Sequence, residues 1–300
     1  MTLFQLSDEA WYIIGSYHQR RNAVAFDFLI PVSTYPDPTP TAGLRRALDL
    51  AATMSGRVTA LVQEVDIPPL HNFLAEAVLD LTAMAAEAEA LSRSRGEALL
   101  GELRQLAEFF RLPLASETVR CRRELLPDRI AHAARTHDYA LLVLDPQSPD
   151  QRDMAEGVIF ESGGPAILFP AQEVPAHLLT VVIAWDGSRA AARAVRDAMP
   201  VLRLAKHVAV ATFEDEKPLA AAGLAELQRY LREHGVAARH VRGNAGGTPI
   251  GDAIQELALA QDAGLLIMGA YGHNRMREFV LGGATRSVLH GVRLPILMSH

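Results

Sequence analysis

Short apolar runs alternate along this chain with longer stretches in which apolar residues recur at helical spacing. Two of these runs, Phe26–Val32 and Thr180–Trp185, each precede an alanine-rich helical stretch and then a second apolar run. Continuous apolar runs are typical of strands that are buried on both faces of a parallel sheet, where amphipathic helices connect successive strands. The alternation therefore predicts an α/β fold built from βαβ units.

The same series of elements occurs twice. Buried strands are predicted at Ala140–Leu144 and at Gly264–Met268, and the two halves close on the similar segments Gly164–Phe169 and Arg293–Met298. So long a repeat is typical of tandem domains rather than of a solenoid. Each half is predicted to be an open, five-stranded parallel sheet with helices on both faces. The predicted organisation is an N-terminal extension at 1–22, a first domain at 23–170, a linker at 171–176 and a second domain at 177–300.

Composition and charge narrow the function classes. The formal net charge of −6 argues against a basic nucleic-acid-binding surface, so we expect no nucleic-acid partner. The single cysteine, Cys121, excludes an intramolecular disulfide, and we expect it to be a small, half-buried residue. No apolar run approaches the roughly 20 residues of a membrane span, and Met1–Tyr17 has acidic residues where a secretory signal has basic ones. We therefore expect a cytoplasmic protein with no membrane partner.

Two strand ends in the second half carry candidate binding residues. Asp186 directly follows the first strand of this half, and Gly269 follows the fourth. Ligands of open parallel sheets bind beyond such carboxyl ends, where the strand order reverses. The segment Gly269–Ser287 (GAYGHNRMREFVLGGATRS) is rich in glycine and arginine. Because glycine lets a ligand approach the backbone and a helix that begins near Gly282 offers free N–H groups, this segment is a candidate phosphate site.

The residues alone leave other interpretations open. Glycine pairs at strand ends also form tight turns without any ligand, and the P-loop and GxGxxG motifs follow no strand in this chain. Asp186 is a candidate ligand of Mg²⁺ or a candidate contact of a nucleoside, and we favour the nucleoside contact. His132 and His137 lack metal-ligand spacing, and the sequence has no nucleophile elbow.

In these segments the chain resembles the universal stress protein family, in particular its members with two domains in one chain. The nucleotide-binding members carry the motif G-x2-G-x9-G-[ST] after the fourth strand, and Gly269, Gly272 and Gly282 match its spacing. Ala184–Ser188 (AWDGS) is similar to the end of the family's first strand, and Leu294–Leu297 is similar to its last strand. The resemblance is strong in the second half and weak in the first.

The resemblance implies a Rossmann-like fold of the adenine nucleotide alpha hydrolase type, with strand order 3-2-1-4-5 and ATP over the ends of strands one and four. It implies that Asp186 lies at the adenosine end and that Ala184 and Phe213 line the adenine. Backbone amides after the fourth strand would then hold the ribose and phosphates. The implied cofactor-binding residues are Ala184, Trp185, Asp186, Phe213, Gly269, Gly272, His273, Arg275, Gly282, Gly283, Ala284 and Thr285.

One position departs from the family motif. Gly283 replaces the serine or threonine that follows the third glycine, so a hydroxyl donor is lost while the backbone N–H remains. One lost hydrogen bond in a partly hydrated site costs about 1 kcal/mol, roughly five- to tenfold in affinity. We therefore expect ATP to bind more weakly rather than not at all.

The first half lacks these features. Asp145 and Pro146 stand where Gly269 and Ala270 stand in the second half, and Ser33 takes the place of Asp186. A carboxylate at this point repels phosphate, and a proline removes a backbone donor. We therefore expect the first domain to bind no nucleotide.

Three function classes remain open at this point. The first is a stress-response or signalling module in which ATP controls association, the second is a slow Mg²⁺-dependent ATP hydrolase, and the third is an interaction protein without nucleotide. We favour the first, with at most a weak ATPase activity. The resemblance also implies that the two halves pair as an internal pseudo-dimer through their final strands and that two chains form a homodimer.

Overall fold

A computed structural model of the chain describes residues 26–68, 80–174, 178–213, 221–270 and 283–300. The first half contains the strands β1 (Asp27–Val32), β2 (Arg57–Val65), β3 (Leu114–Cys121), β4 (Tyr139–Leu144) and β5 (Ala166–Pro170). Its helices are α1 (Thr41–Thr53), α2 (Leu81–Phe110), α3 (Leu126–Ala134) and α4 (Pro149–Glu161), with a short 3₁₀ helix at Arg123–Leu125. The second half contains β6 (Thr180–Ala184), β7 (His207–Phe213), β8 (Ala238–Gly243), β9 (Leu265–Gly269) and β10 (Ile296–Ser299). Its helices are α5 (Arg189–Asp197), α6 (Met199–Leu202), α7 (Ala221–Glu233), α8 (Ile250–Ala260) and α9 (Gly283–His290).

The ten strands of the described residues form one sheet, in the order β3-β2-β1-β4-β5-β10-β9-β6-β7-β8. All pairs within a half are parallel. When each half is numbered from its own first strand, its order is 3-2-1-4-5. The predicted fold class, an α/β protein with a mostly parallel sheet and helices on both sides, is confirmed.

Two clusters of buried side chains cover the two faces of the sheet. Successive residues of a strand point to opposite faces, so Val181 and Ile183 pack with α1, α2, α5, α6 and α7, whereas Val182 and Ala184 pack with α3, α4, α8 and α9. Each cluster contains residues of both halves. The hydrophobic core therefore runs through the whole sheet rather than stopping between the halves.

The two halves meet at β5 and β10, which form the antiparallel pair of the sheet. Ile296 lies opposite Leu168 in this pair. Next to it, the Tyr139 hydroxyl of the first half donates to the backbone oxygen of Asp197 in the second half at 2.7 Å. Burial raises the pKa of this hydroxyl, so it remains a donor at physiological pH. Strands β5 and β10 are thus each paired on both sides.

One helix that the sequence predicts as continuous is divided in the structure. The alanine-rich helical stretch that follows Thr180–Trp185 predicts one helix at Ala190–Leu202, but the structure has two helices there, α5 and α6, which are separated at Ala198. Pro200 lies in the first turn of α6. Because proline has no N–H to donate to the preceding turn, it is tolerated at the start of a helix and interrupts a longer one.

Two expectations from composition can be compared with the fold. Cys121 is buried more completely than predicted, and burial raises the pKa of its thiol, which disfavours the reactive thiolate. Among the helices in the described ranges, none is long and apolar enough to cross a membrane. The predicted N-terminal extension at 1–22 lies outside the described residues.

Candidate functional site

The strand order of the second half changes direction between β6 and β9. Strands β7 and β8 continue the sheet on one side of β6, and β9 and β10 continue it on the other side. In the parallel pair of β6 and β9, Val181 lies opposite Leu265 and Ile183 lies opposite Ile267, so both strands end at the same edge. A switch point of this kind leaves a crevice at the carboxyl edge of the sheet, and ligands of open α/β sheets bind there.

The turn after β6 fixes the orientation of Asp186. Its Oδ1 accepts a hydrogen bond from the backbone N–H of Ser188 at 2.9 Å. Gly187, between them, has φ +73°, which glycine adopts without strain. The Ser188 hydroxyl oxygen then accepts from the backbone N–H of Ala191 at 3.1 Å and caps the N-terminus of α5. The segment Asp186–Ser188 is therefore a rigid start to α5 at the edge of the crevice.

Gly269, the last residue of β9, lies directly against the first turn of α5. A Cβ atom added to Gly269 would lie 2.3 Å from the backbone nitrogen of Ala191 and 2.5 Å from the backbone carbon of Ala190. Glycine is thus required here because a strand and a helix backbone approach closely, which the sequence pattern did not indicate. Through this contact the structure brings the turn at Asp186 and the start of the glycine-rich segment together, as their placement at two neighbouring strand ends predicted.

The expected binding residues at the ends of β6 and β7 divide between the two faces of the sheet. Ala184 and Phe213 lie on the same face of the sheet. The Phe213 ring packs over Gly243 of the neighbouring strand, so that a Cβ atom added to Gly243 would lie 2.4 Å from a ring carbon. Trp185 packs against the opposite cluster, and its indole nitrogen is buried without a hydrogen-bond partner among the described residues. The Trp185 ring therefore does not share a surface with Ala184 and Phe213.

Helix α9 begins at the carboxyl edge, because it connects the end of β9 to the start of the parallel strand β10. The first N–H groups of a helix have no partner within the helix and attract anions. Gly283 is exposed, and an added Cβ would contact no described atom within 4 Å, whereas Thr285 is 2% exposed. Ala284 packs on the same cluster as Phe213. Gly251 of α8 packs directly against α9, since a Cβ atom added to Gly251 would lie 2.4 Å from the backbone oxygen of Ala284.

Four of the expected binding residues lie outside the described residues: Gly272, His273, Arg275 and Gly282. Their contacts with ribose and phosphates therefore stay predictions. Within the part of the chain that the structure describes, no group of three or more His, Cys, Asp or Glu side chains is arranged to hold a metal ion.

The corresponding edge of the first half satisfies its own backbone donors. The N–H of Ser33 donates to the Thr39 hydroxyl at 2.8 Å, and the N–H of Asp145 donates to Gln151 Oε1 at 2.8 Å. These two donors are consequently not available to a phosphate.

The same edge nevertheless contains a cavity of about 410 Å³ that sequence reasoning missed. One of its lining residues, Gln63, is a polar residue at a buried position of β2 that directly follows the apolar run Ala60–Val62, and this change was the available signal.

A strand-order switch at the carboxyl edge, with a glycine packed under a capped helix, is the arrangement of a Rossmann-like α/β domain, and ligands of such domains bind at this edge. Residues 178–300 match the family model described as Universal stress protein family. A search of curated proteins found no match.

Solved structures extend the comparison to the whole chain. A universal stress protein from Archaeoglobus fulgidus is similar with a TM-score of 0.66 and 18% identity, over 91% of this chain and 96% of that one. A protein from Pseudomonas aeruginosa PAO1 whose function is unknown is similar with a TM-score of 0.51 and 14% identity, over 92% of both chains. Residues 178–300 thus match the universal stress protein family model, and the whole chain shares the fold of a universal stress protein of similar length. This confirms the resemblance found in the sequence.

Proposed function

We propose that the second half binds ATP over the ends of β6 and β9, and that the protein acts in stress response or signalling through nucleotide-dependent association. The observation that carries the proposal is the contact of α5 with Gly269, which joins the capped turn at Asp186 to the start of the glycine-rich segment. The match of residues 178–300 to the universal stress protein family model supports the same assignment.

The chemistry of the crevice suits the parts of an adenine nucleotide. The face that carries Ala184 and Phe213 offers an apolar surface for the base. Asp186 supplies a carboxylate acceptor for ribose hydroxyls, because the turn holds one of its oxygens in place. The N-terminus of α9, from Gly283, supplies backbone N–H donors to the phosphates. Mg²⁺ would enter with the phosphates, since it is usually held by phosphate oxygens and water with few protein ligands.

The first half is proposed to leave ATP unbound. The edge donors of Ser33 and Asp145 are already used by Thr39 and Gln151, and the Asp145 carboxylate accepts from the N–H of Gln147 at 2.9 Å. A phosphate would have to displace these bonds and approach a carboxylate.

Calorimetric titration of the full chain with ATP and Mg²⁺ tests this assignment. We expect saturation at one nucleotide per chain, because the edge donors of the first half are already used by Thr39 and Gln151. Two nucleotides per chain would contradict the assignment to the second half alone, and no heat of binding at millimolar ATP would reject ATP as the ligand. Sedimentation of the same samples with and without ATP measures whether association changes, and an unchanged sedimentation coefficient would refute the regulatory part.

Restoring the family's hydroxyl at position 283 is expected to tighten ATP binding. Gly283→Ser introduces a side chain where no described atom lies within 4 Å, so the helix accommodates it without rearrangement. One added hydrogen bond to phosphate is worth about 1 kcal/mol, which corresponds to a dissociation constant roughly fivefold to tenfold lower.

Gly291→Ser is the matched control for this change. Gly291 directly follows the opposite end of α9, and an added Cβ there also meets no described atom. We expect the ATP affinity of this variant to equal that of the wild type. Equal affinities for all three proteins would show that phosphate does not lie at the start of α9.

We also propose that the two halves form an internal pseudo-dimer. The antiparallel pair of β5 and β10 supports it, because equivalent last strands of two similar sheets meet there. Since this pairing occupies both strands, a homodimer of the chain would use other surfaces.

A further inference from the structure

A cavity lies at the carboxyl edge of the first half, apart from the ATP crevice proposed above. Its volume is about 410 Å³, within the range of about 300–1,000 Å³ that is typical of small-molecule sites. It lies between the ends of β1 and β2, the start of α3 and the first turns of α4. The lining residues are Ser33, Tyr35, Asp37, Gln63, Arg123, Glu124, Leu126, Pro127, Asp150 and Asp153.

Gln63 is the most unusual of these residues. Its side chain is 2% exposed, and neither its amide oxygen nor its amide nitrogen has a hydrogen-bond partner among the described residues. Its backbone oxygen is satisfied, since it accepts from the Thr34 hydroxyl at 2.9 Å. Buried amides are almost always hydrogen-bonded, so an unpaired donor and acceptor beside a cavity indicate a ligand with complementary groups.

The charges around the cavity indicate which kind of ligand is favoured. Arg123 donates two hydrogen bonds to Asp150, at 2.9 and 2.7 Å, so these two residues neutralise each other. Asp37, Glu124 and Asp153 form no ion pair with any residue in the described ranges. The remaining field is negative, which repels phosphates and attracts cations. Because no group of three or more His, Cys, Asp or Glu side chains in the described part of the chain is arranged to hold a metal ion, we favour an organic cation over a metal.

We propose that this cavity binds a small organic cation that carries several N–H donors, such as an amine with an amidinium or guanidinium group. Gln63 Oε1 accepts one N–H of the ligand inside the cavity, and the carboxylates of Asp37, Glu124 and Asp153 hold its positive charge at the mouth. The first half is then a second ligand-binding unit with the opposite charge preference from the ATP crevice, and this assignment does not depend on ATP binding.

Calorimetric titration of the full chain with agmatine, at low ionic strength, tests the proposal. We expect one agmatine per chain, and we expect AMP, as an anion of adequate size, not to compete for this site. Saturating the chain with ATP beforehand is expected to leave the agmatine titration unchanged. Absence of agmatine binding by the wild type, or its displacement by AMP, would overturn the proposal.

The Gln63→Leu variant tests the contribution of the amide to binding separately from that of the surrounding carboxylates. Leucine fills a similar volume and removes the unpaired amide, so we expect the variant to melt at or above the wild-type temperature while its agmatine affinity falls at least tenfold. Glu124→Gln combined with Asp153→Asn is expected to lower the affinity as well. If Gln63→Leu binds agmatine as the wild type does while the double variant does not, attraction is merely ionic and the proposed site is wrong.

Discussion

Replacing Gly269 by alanine is expected to destabilise the protein by about 1–3 kcal/mol, the usual cost of forcing an extra carbon into a packed interior. The added Cβ would lie 2.3 Å from the backbone nitrogen of Ala191, and a helix backbone cannot move aside as a flexible side chain can. Either β9 or α5 must shift. Urea denaturation of the variant and the wild type measures the change in free energy of unfolding.

Gly223→Ala provides the matched control, since this glycine lies within α7 and an added Cβ meets no described atom within 4 Å. Glycine inside a helix is less stable than alanine by about 0.5–1 kcal/mol, so the control is expected to gain stability. The proposed packing role of Gly269 is wrong if both variants respond alike. Because α5 carries the capped turn at Asp186, the Gly269→Ala variant is also expected to bind ATP less tightly than the wild type.

The fold was largely predictable because burial leaves a strong pattern. β4 is buried at every position, and it was predicted as a strand from the apolar run Ala140–Leu144. The division of the helix at Ala190–Leu202 was not anticipated from the periodicity, although Pro200 is the residue that explains it. Periodicity reports which face of an element is buried, and it does not report where backbone hydrogen bonds are interrupted.

The sequence predicted where the candidate site lies in the sheet, but it did not predict the packing role of each residue there. Gly269 was singled out because a ligand needs close access to the backbone, whereas the structure shows that α5 itself approaches at this point. Trp185 was named as a binding residue because the segment Ala184–Ser188 resembles the family's first-strand end, but Ala184 and Trp185 pack on opposite faces of the sheet. A motif fixes the spacing of residues along the chain, while the direction of each side chain depends on the sheet.

The first half shows the limit of comparing motifs between copies. Its lack of the glycine motif drew attention to Asp145 and Ser33, whose backbone N–H groups donate to neighbouring side chains in the structure. The cavity beside them had no counterpart in that comparison, because Gln63 has no special spacing and is distinguished by its unpaired amide in a buried place. Such a feature depends on three-dimensional packing, so a sequence motif does not contain it.

Removing the carboxylate of Asp186 is expected to have the largest effect on ATP binding. Asp186→Ala should raise the dissociation constant by roughly ten- to a hundredfold, since a hydrogen bond to a charged group is worth about 1.5–3 kcal/mol. The same change removes the acceptor of the Ser188 N–H, which loosens the start of α5. Titration with ATP measures the change in affinity, and the melting temperature measures the loss of stability that follows from the loosened start of α5.

Asp186→Asn distinguishes the two contributions, because its amide oxygen still accepts from the Ser188 N–H while the charge is gone. We expect this variant to melt close to the wild-type temperature and to lose affinity for ATP nonetheless. Ser33→Ala, at the equivalent strand end of the first half, is expected to leave ATP binding unchanged. If Asp186→Asn binds ATP as tightly as the wild type, the carboxylate contacts no part of the nucleotide, and Asp186 serves to shape the turn that places α5 on Gly269.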